Sequence, residues 1–123
     1  MAYAGSCLCG AICYQVKGEF VSSSHCHCTM CQKQHGAACG SYGNVSLRQL
    51  EWVRGQEWLS LYESTTGVFR GFCSQCGSSL TWSNTAETPD RIAISLGTLD
   101  TPFKQIVTKH IFTDTRVSWK NDA

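Results

Sequence analysis

Charge is scarce in this 123-residue chain and neither sign prevails: charged residues make up 15% and the net charge is +1. A balance so close to neutral supplies no field to hold a phosphate backbone, so a nucleic-acid partner is not expected. Long apolar runs are missing too, and none approaches the ~20 residues that a membrane span requires. The N-terminal stretch from Met1 to Cys7 has neither the charged nor the apolar segment of a secretory signal, and the expectation is a cytoplasmic protein. Internal repeats, low-complexity tracts and linker-like stretches are likewise lacking. The whole chain, 1–123, therefore reads as one domain, apolar enough at 42% hydrophobic residues to fold.

Cysteine, by contrast, is abundant. The count of nine is odd, which would leave a thiol over in any disulfide scheme, and it fits thiolates held by metal in a reducing compartment. Seven of the nine fall into three clusters: Cys7-Leu-Cys9-Gly10, Cys26-His-Cys28-Thr-Met-Cys31 and Cys73-Ser-Gln-Cys76-Gly77. Two pairs and one triplet divide as four plus three. Four thiolates close a tetrahedral zinc site, whereas three leave one position for water or substrate. The first and last clusters are each followed directly by glycine, which lets the backbone turn through positive φ and aim N–H groups at sulfur. That shared detail pairs Cys7, Cys9, Cys73 and Cys76 in one closed structural site. Other partitions of the seven ligands remain open at this level, as does the metal, since iron also takes four thiolates.

The triplet has a different character. On an extended segment Cys26 and Cys28 face one way and His25 and His27 the other. A helix is predicted to follow, with Thr29 and Gln32 as a capping box, running through His35 and stopping near Gly36. Two turns do not persist alone in water, so metal or tertiary contacts must hold them. Cys31 falls in the first turn, where the helix dipole favours a thiolate. An open zinc site on Cys26, Cys28 and Cys31 can take a substrate sulfur or oxygen. The rival arrangement is a closed Cys₃His site, since His35 lies four residues after Cys31 on the same helix face.

Elsewhere, apolar alternation predicts a mainly β fold. Strands are expected at Ile12–Val16, Ser79–Trp82, Arg91–Leu96 and Ile106–Phe112. Trp58–Tyr62 and Val68–Phe72 read as a hairpin joined by the four residues Ser64 to Gly67. Strands this short, punctuated by glycine, argue for small packed sheets rather than a parallel α/β sheet.

The order C-x-C-G, C-x-C-x-x-C, F-C-x-x-C-G resembles the GFA family, the glutathione-dependent formaldehyde-activating enzymes, which also includes centromere protein V. Ser95-Leu-Gly-Thr-Leu-Asp100, His110-Ile-Phe112 and Trp119 are similar to its later segments. The resemblance implies a β-tent fold of small antiparallel sheets organised around two zinc ions per chain. It implies structural zinc on Cys7, Cys9, Cys73 and Cys76, and catalytic zinc on Cys26, Cys28 and Cys31. The activity implied is that of a carbon–sulfur lyase, joining or separating a thiol such as glutathione and formaldehyde through an S-hydroxymethyl adduct.

The expected partner is accordingly a small thiol or thiol–aldehyde adduct, with no membrane involved. Lys33, Lys104 and Arg91 are the candidates for gripping glutathione's charges, and His27, His35 and His110 for acid–base work. Cys13 and Cys39 read as core packing, and Trp52, Trp58, Trp82 and Trp119 as core and sheet-face residues. The competing function is a non-catalytic zinc module for a protein partner. A chromatin module, by analogy with centromere protein V, is disfavoured by the near-neutral charge.

Overall fold

Alternation along Cys13-Tyr-Gln-Val-Lys17 buries Tyr14 and Val16 and turns the other side chains outward, which makes β2 (Cys13–Lys17) a half-buried strand. The structure is a computed structural model and describes residues 2–121. In it β2 pairs antiparallel with β1 (Ala2–Ser6) on one side and with β5 (Leu50–Arg54) on the other, giving a three-stranded sheet. Seven further strands form a second sheet: β3 (Ser22–Cys26), β4 (Gly40–Ser46), β6 (Leu59–Thr65), β7 (Val68–Cys73), β8 (Ser79–Asn84), β9 (Arg91–Ser95) and β10 (His110–Ile111). Their order is β10-β3-β4-β9-β8-β7-β6, antiparallel except for the β10–β3 pair. The fold is mainly β, with one α-helix, α1 (Thr29–His35), among the described residues.

Because side chains alternate faces, the large sheet carries two different surfaces. Val45 and Ile94 face a core that also takes Tyr3, Ile12, Tyr14, Val16, Phe20 and Leu80, so this face and the small sheet share one apolar interior. Gly5 sits opposite Tyr14, and a Cβ there would collide with the tyrosine ring. On the other face Asn44, Ala93, Trp82 and Arg70 stand directly across from one another on β4, β9, β8 and β7. Ala93 and Trp82 pack with Cys26, Cys31 and Tyr42 in a second, smaller interior, which Arg70 joins through its bond to Cys31 and beside which Asn44 lines a cavity. The candidate site lies on this second face.

Four expectations change. The hairpin strands run on to Thr65 and restart at Val68, so two residues connect them rather than four; Gly67 turns at φ 82° and a bulge near Ser64 absorbs the slack. In the stretch Ile106–Phe112 only His110 and Ile111 pair, because Ile106 is 85% exposed and has no strand across from it. Upstream, Phe103 anchors the chain instead, packed against Tyr3 and Phe20. The helix keeps its expected span and its left-handed stop at Gly36, but Cys28 caps it in place of Thr29. Finally, Trp58 and Trp119 are exposed, whereas Trp52 packs edge-on against Tyr14.

Candidate metal centres

The β1–β2 turn brings Cys7 and Cys9 against Cys73, at the end of β7, and Cys76 in the β7–β8 turn. Gly10 and Gly77 have φ of 80° and 82°, the left-handed turn that points amides back at sulfur. Ile12 N–H donates to Cys7 Sγ and Gln75 N–H to Cys73 Sγ, each at 3.3 Å. Sulfur separations are 3.6 Å for Cys7–Cys9 and 3.9 Å for Cys9–Cys73, and all four Sγ lie within 4.8 Å of one another. A Zn–S bond of ~2.3 Å implies a tetrahedral edge of roughly 3.8 Å. A disulfide would need about 2.0 Å. The donor set therefore fits a tetrahedral ion with four thiolate ligands. The Ser78 hydroxyl and backbone amides hold the Cys76 thiol down at about 5, favouring the thiolate that a metal needs.

In the second cluster Cys26 ends β3, Cys28 caps α1 and Cys31 sits in the first helical turn. Cys31 N–H donates to Cys28 Sγ at 3.3 Å, the Cys26 and Cys31 sulfurs are 3.4 Å apart, and all three Sγ lie within 4.8 Å of one another. These donors also fit a metal ion, and no fourth side-chain ligand joins them among the described residues. Beside them lies Arg70, only 4% exposed. Its Nη1 donates to Cys31 Sγ at 3.5 Å and to Gln34 Oε1 at 2.9 Å, and its Nε to Ser64 Oγ at 3.1 Å. Hydrogen bonding between the Cys31 and Cys26 sulfurs, followed against the cost of burial by the Arg70 guanidinium, pulls Cys31 down to about 5. Burial works against charge on Arg70, but Cys31 more than offsets it and raises the arginine's pKa.

Cys26, Cys28 and Cys31 open onto a cavity of about 310 Å³ whose walls include Met30, Val68, Trp82, Ile111 and Phe112. The cysteine clusters lie between Cys7 and Cys76, and the family model described as glutathione-dependent formaldehyde-activating enzyme matches residues 2–115, nearly the whole chain. The chain belongs to that family. A crystal structure of a Rhodobacter sphaeroides protein is similar to it, with a TM-score of 0.66 and 25% identity over 80% of this chain and 89% of that one. No curated protein matches it.

In this GFA-family chain the histidines lie outside the sulfur clusters. His35 Nε2 is 2.7 Å from the Tyr42 hydroxyl, which in turn lies 3.9 Å from Cys31 Sγ. Burial lowers the His35 pKa and raises that of Tyr42, so a neutral ring accepting the tyrosine proton is the favoured state. His35 thus acts one step behind Cys31 and does not complete a Cys₃His set. His27 Nε2 meets His110 Nδ1 at 2.7 Å, and His110 also lies against His25, with ring centroids 5.0 Å apart in both pairs. This stack fastens β10 alongside β3.

None of Lys33, Lys104 or Arg91 lines the cavity; Arg91 borders a separate polar cleft beyond Trp82. Cys13 and Cys39 are half-buried free thiols that join neither group. Sequence reasoning missed Arg70. Its signal was a lone charge inside the otherwise apolar alternation Val68-Phe-Arg-Gly-Phe72.

Proposed function

We propose that the protein is a zinc-dependent carbon–sulfur lyase-type enzyme that makes or cleaves a small thiol–aldehyde adduct of the S-hydroxymethyl kind. The observation that carries this reading is a trio of cysteines, without a fourth side-chain ligand among the described residues, opening onto a ligand-sized cavity. Zinc on Cys26, Cys28 and Cys31 would act as a Lewis acid toward a substrate sulfur or oxygen. Zinc on Cys7, Cys9, Cys73 and Cys76 would be structural. All nine cysteines are free thiols, which supports a reducing cytoplasm as the place of action.

In the cleavage direction the adduct's hydroxyl loses its proton and its C–O bond becomes the aldehyde C=O. The C–S bond breaks at the same time, and its electron pair stays on sulfur as a thiolate, which then takes up a proton. Negative charge therefore gathers at sulfur as the bond breaks. Arg70 is placed to offset it: its guanidinium already rests on Cys31 and is buried away from competing water. Tyr42, held by His35, fixes the Cys31 side of the trio. Trp82, Ile111 and Phe112 keep bulk water from the reacting sulfur.

Replacing Cys28 with serine tests the reading cleanly, because serine is also a good helix N-cap and spares α1. The variant is expected to fold, to carry one zinc instead of two, and to lose adduct cleavage by a factor of at least about 10². Full activity with a single zinc per chain would overturn it.

A further inference from the structure

The cavity beside the triplet is poorly suited to a tripeptide with two carboxylates and an ammonium group. Its apolar walls are Met30, Val68, Trp82, Ala93, Ile111 and Phe112, and among the described residues neither a lysine nor a carboxylate lines it. Arg70 is its single charged lining residue, and the Nε and Nη1 of that guanidinium already serve Ser64, Gln34 and Cys31. Of the other polar groups that line it, Asn44 Nδ2 donates to Ser22 Oγ at 3.1 Å and the Tyr42 hydroxyl is held by His35, and Ser24 and Thr65 add only small neutral hydroxyls. One carboxylate can meet Arg70 there, but a second carboxylate and an ammonium group carried inside would leave water without gaining a charged partner, which is strongly unfavourable. An apolar ring meets the opposite situation. A cavity of about 150 Å³ suffices for benzene. Here about 310 Å³ holds a ring together with the carbon and sulfur that reach the cysteines.

Besides Tyr42, which His35 holds, two aromatic side chains line that space. Trp82 stands in the cross-strand row between Ala93 and Arg70. Phe112 lines the cavity while 66% exposed, and it is the one non-glycine residue with positive φ, 55°, among those described. Bulky residues adopt that conformation at a cost and are found in it where a site requires it.

We infer that the thiol partner of this site is a small arylmethyl or aryl thiol, taken with its ring between Trp82 and Phe112, and not glutathione. The inference rests on the proposed open position at Cys26, Cys28 and Cys31, and the experiment separates the two. Cobalt(II) is loaded in place of zinc, and thiols are titrated in while the thiolate-to-cobalt charge-transfer band is followed. Phenylmethanethiol is expected to half-saturate the change at about a tenth of the glutathione concentration or less.

Trp82→Ala and, since Trp82 is partly built into the sheet, the exposed Phe112→Ala are each expected to weaken phenylmethanethiol about tenfold. The ringless 2-mercaptoethanol should move less than about twofold in either variant. Glutathione binding as tightly as phenylmethanethiol, or both variants weakening the two probe thiols equally, overturns the aromatic preference and leaves the open site standing. A spectrum that no thiol perturbs overturns the open site, and the preference falls with it.

Discussion

Arg70→Met removes a positive charge that lies against the triplet and leaves a side chain of comparable length in its place. The guanidinium nitrogen is 3.5 Å from Cys31 Sγ, and two unit charges at that distance attract by about 5 kcal/mol at an effective dielectric of about 20. That figure is gross, because taking the guanidinium out of water opposes it. The net contribution of a hydrogen bond to a charged group is about 1.5–3 kcal/mol. At ~1.4 kcal/mol per tenfold, metal affinity of the triplet should fall by roughly 10- to 150-fold.

A chelator competition on the fully loaded protein reads this directly. The four-cysteine site shares no ligand with the triplet and serves as the internal reference. Arg70→Lys, which keeps the charge but not the fork reaching both Cys31 and Gln34, should fall between the two. If Arg70→Met releases metal from the triplet at the native chelator concentration, the electrostatic coupling argued for Arg70 is wrong.

Disrupting the closed site should be far more severe. Structural zinc contributes about 10–16 kcal/mol of apparent binding energy in small peptides, against a net stability of ~5–15 kcal/mol for a domain. Cys73→Ala should therefore abolish cooperative thermal unfolding followed by circular dichroism. His35 gives a pH effect of defined sign. Burial holds its pKa below the usual ~6.5, so only the unfolded chain takes up the proton near that pH. Its contribution is complete above about 6.5 and is lost as pH falls. In His35→Gln the urea midpoint should decline less between pH 7.5 and 5.5 than in the native protein. Gly5→Ala forces a methyl group into the Tyr14 ring, whose hydroxyl is tied to Thr98 at 2.6 Å, so the ring cannot swing aside. The expected cost is ~1–3 kcal/mol, a fall in Tm of roughly 4–15 °C by calorimetry.

The sulfur clusters were legible because metal chemistry writes itself in local spacing. Gly10 and Gly77 marked the knuckle turns, and both turn through positive φ. Strands with large alternating side chains, such as β2 and β9, were equally plain. Strands β1, β3 and β4 were not: Ala-Tyr-Ala-Gly-Ser, Ser-Ser-Ser-His-Cys and Gly-Ser-Tyr-Gly-Asn-Val-Ser offer few large apolar residues for a period-two pattern. Strands β3 and β4 form because neighbours on both sides complete their hydrogen bonds, and β1 forms as an edge strand along β2. Arg70 was hidden for a different reason. It stands 39 positions from Cys31, and only the register of β7 against β8 brings that charge to the site face. The cap on α1 was misread because Cys28 does two jobs at once, as a sulfur donor and as the acceptor for the Cys31 amide in the first helical turn.

Cys9 and Cys73 are separated by 64 positions along the chain. On a ribosome adding ~5–20 residues per second, roughly 3–13 s pass between the emergence of one and of the other. For that interval the first two thiols of the clasp are unpartnered and open to oxidants. Cys26, Cys28 and Cys31, by contrast, leave the exit tunnel almost together. During synthesis the trio thus becomes able to capture an ion while its closed counterpart is still only half translated. A metal ion held by all four thiolates of that counterpart would have to arrive after Cys76 has emerged.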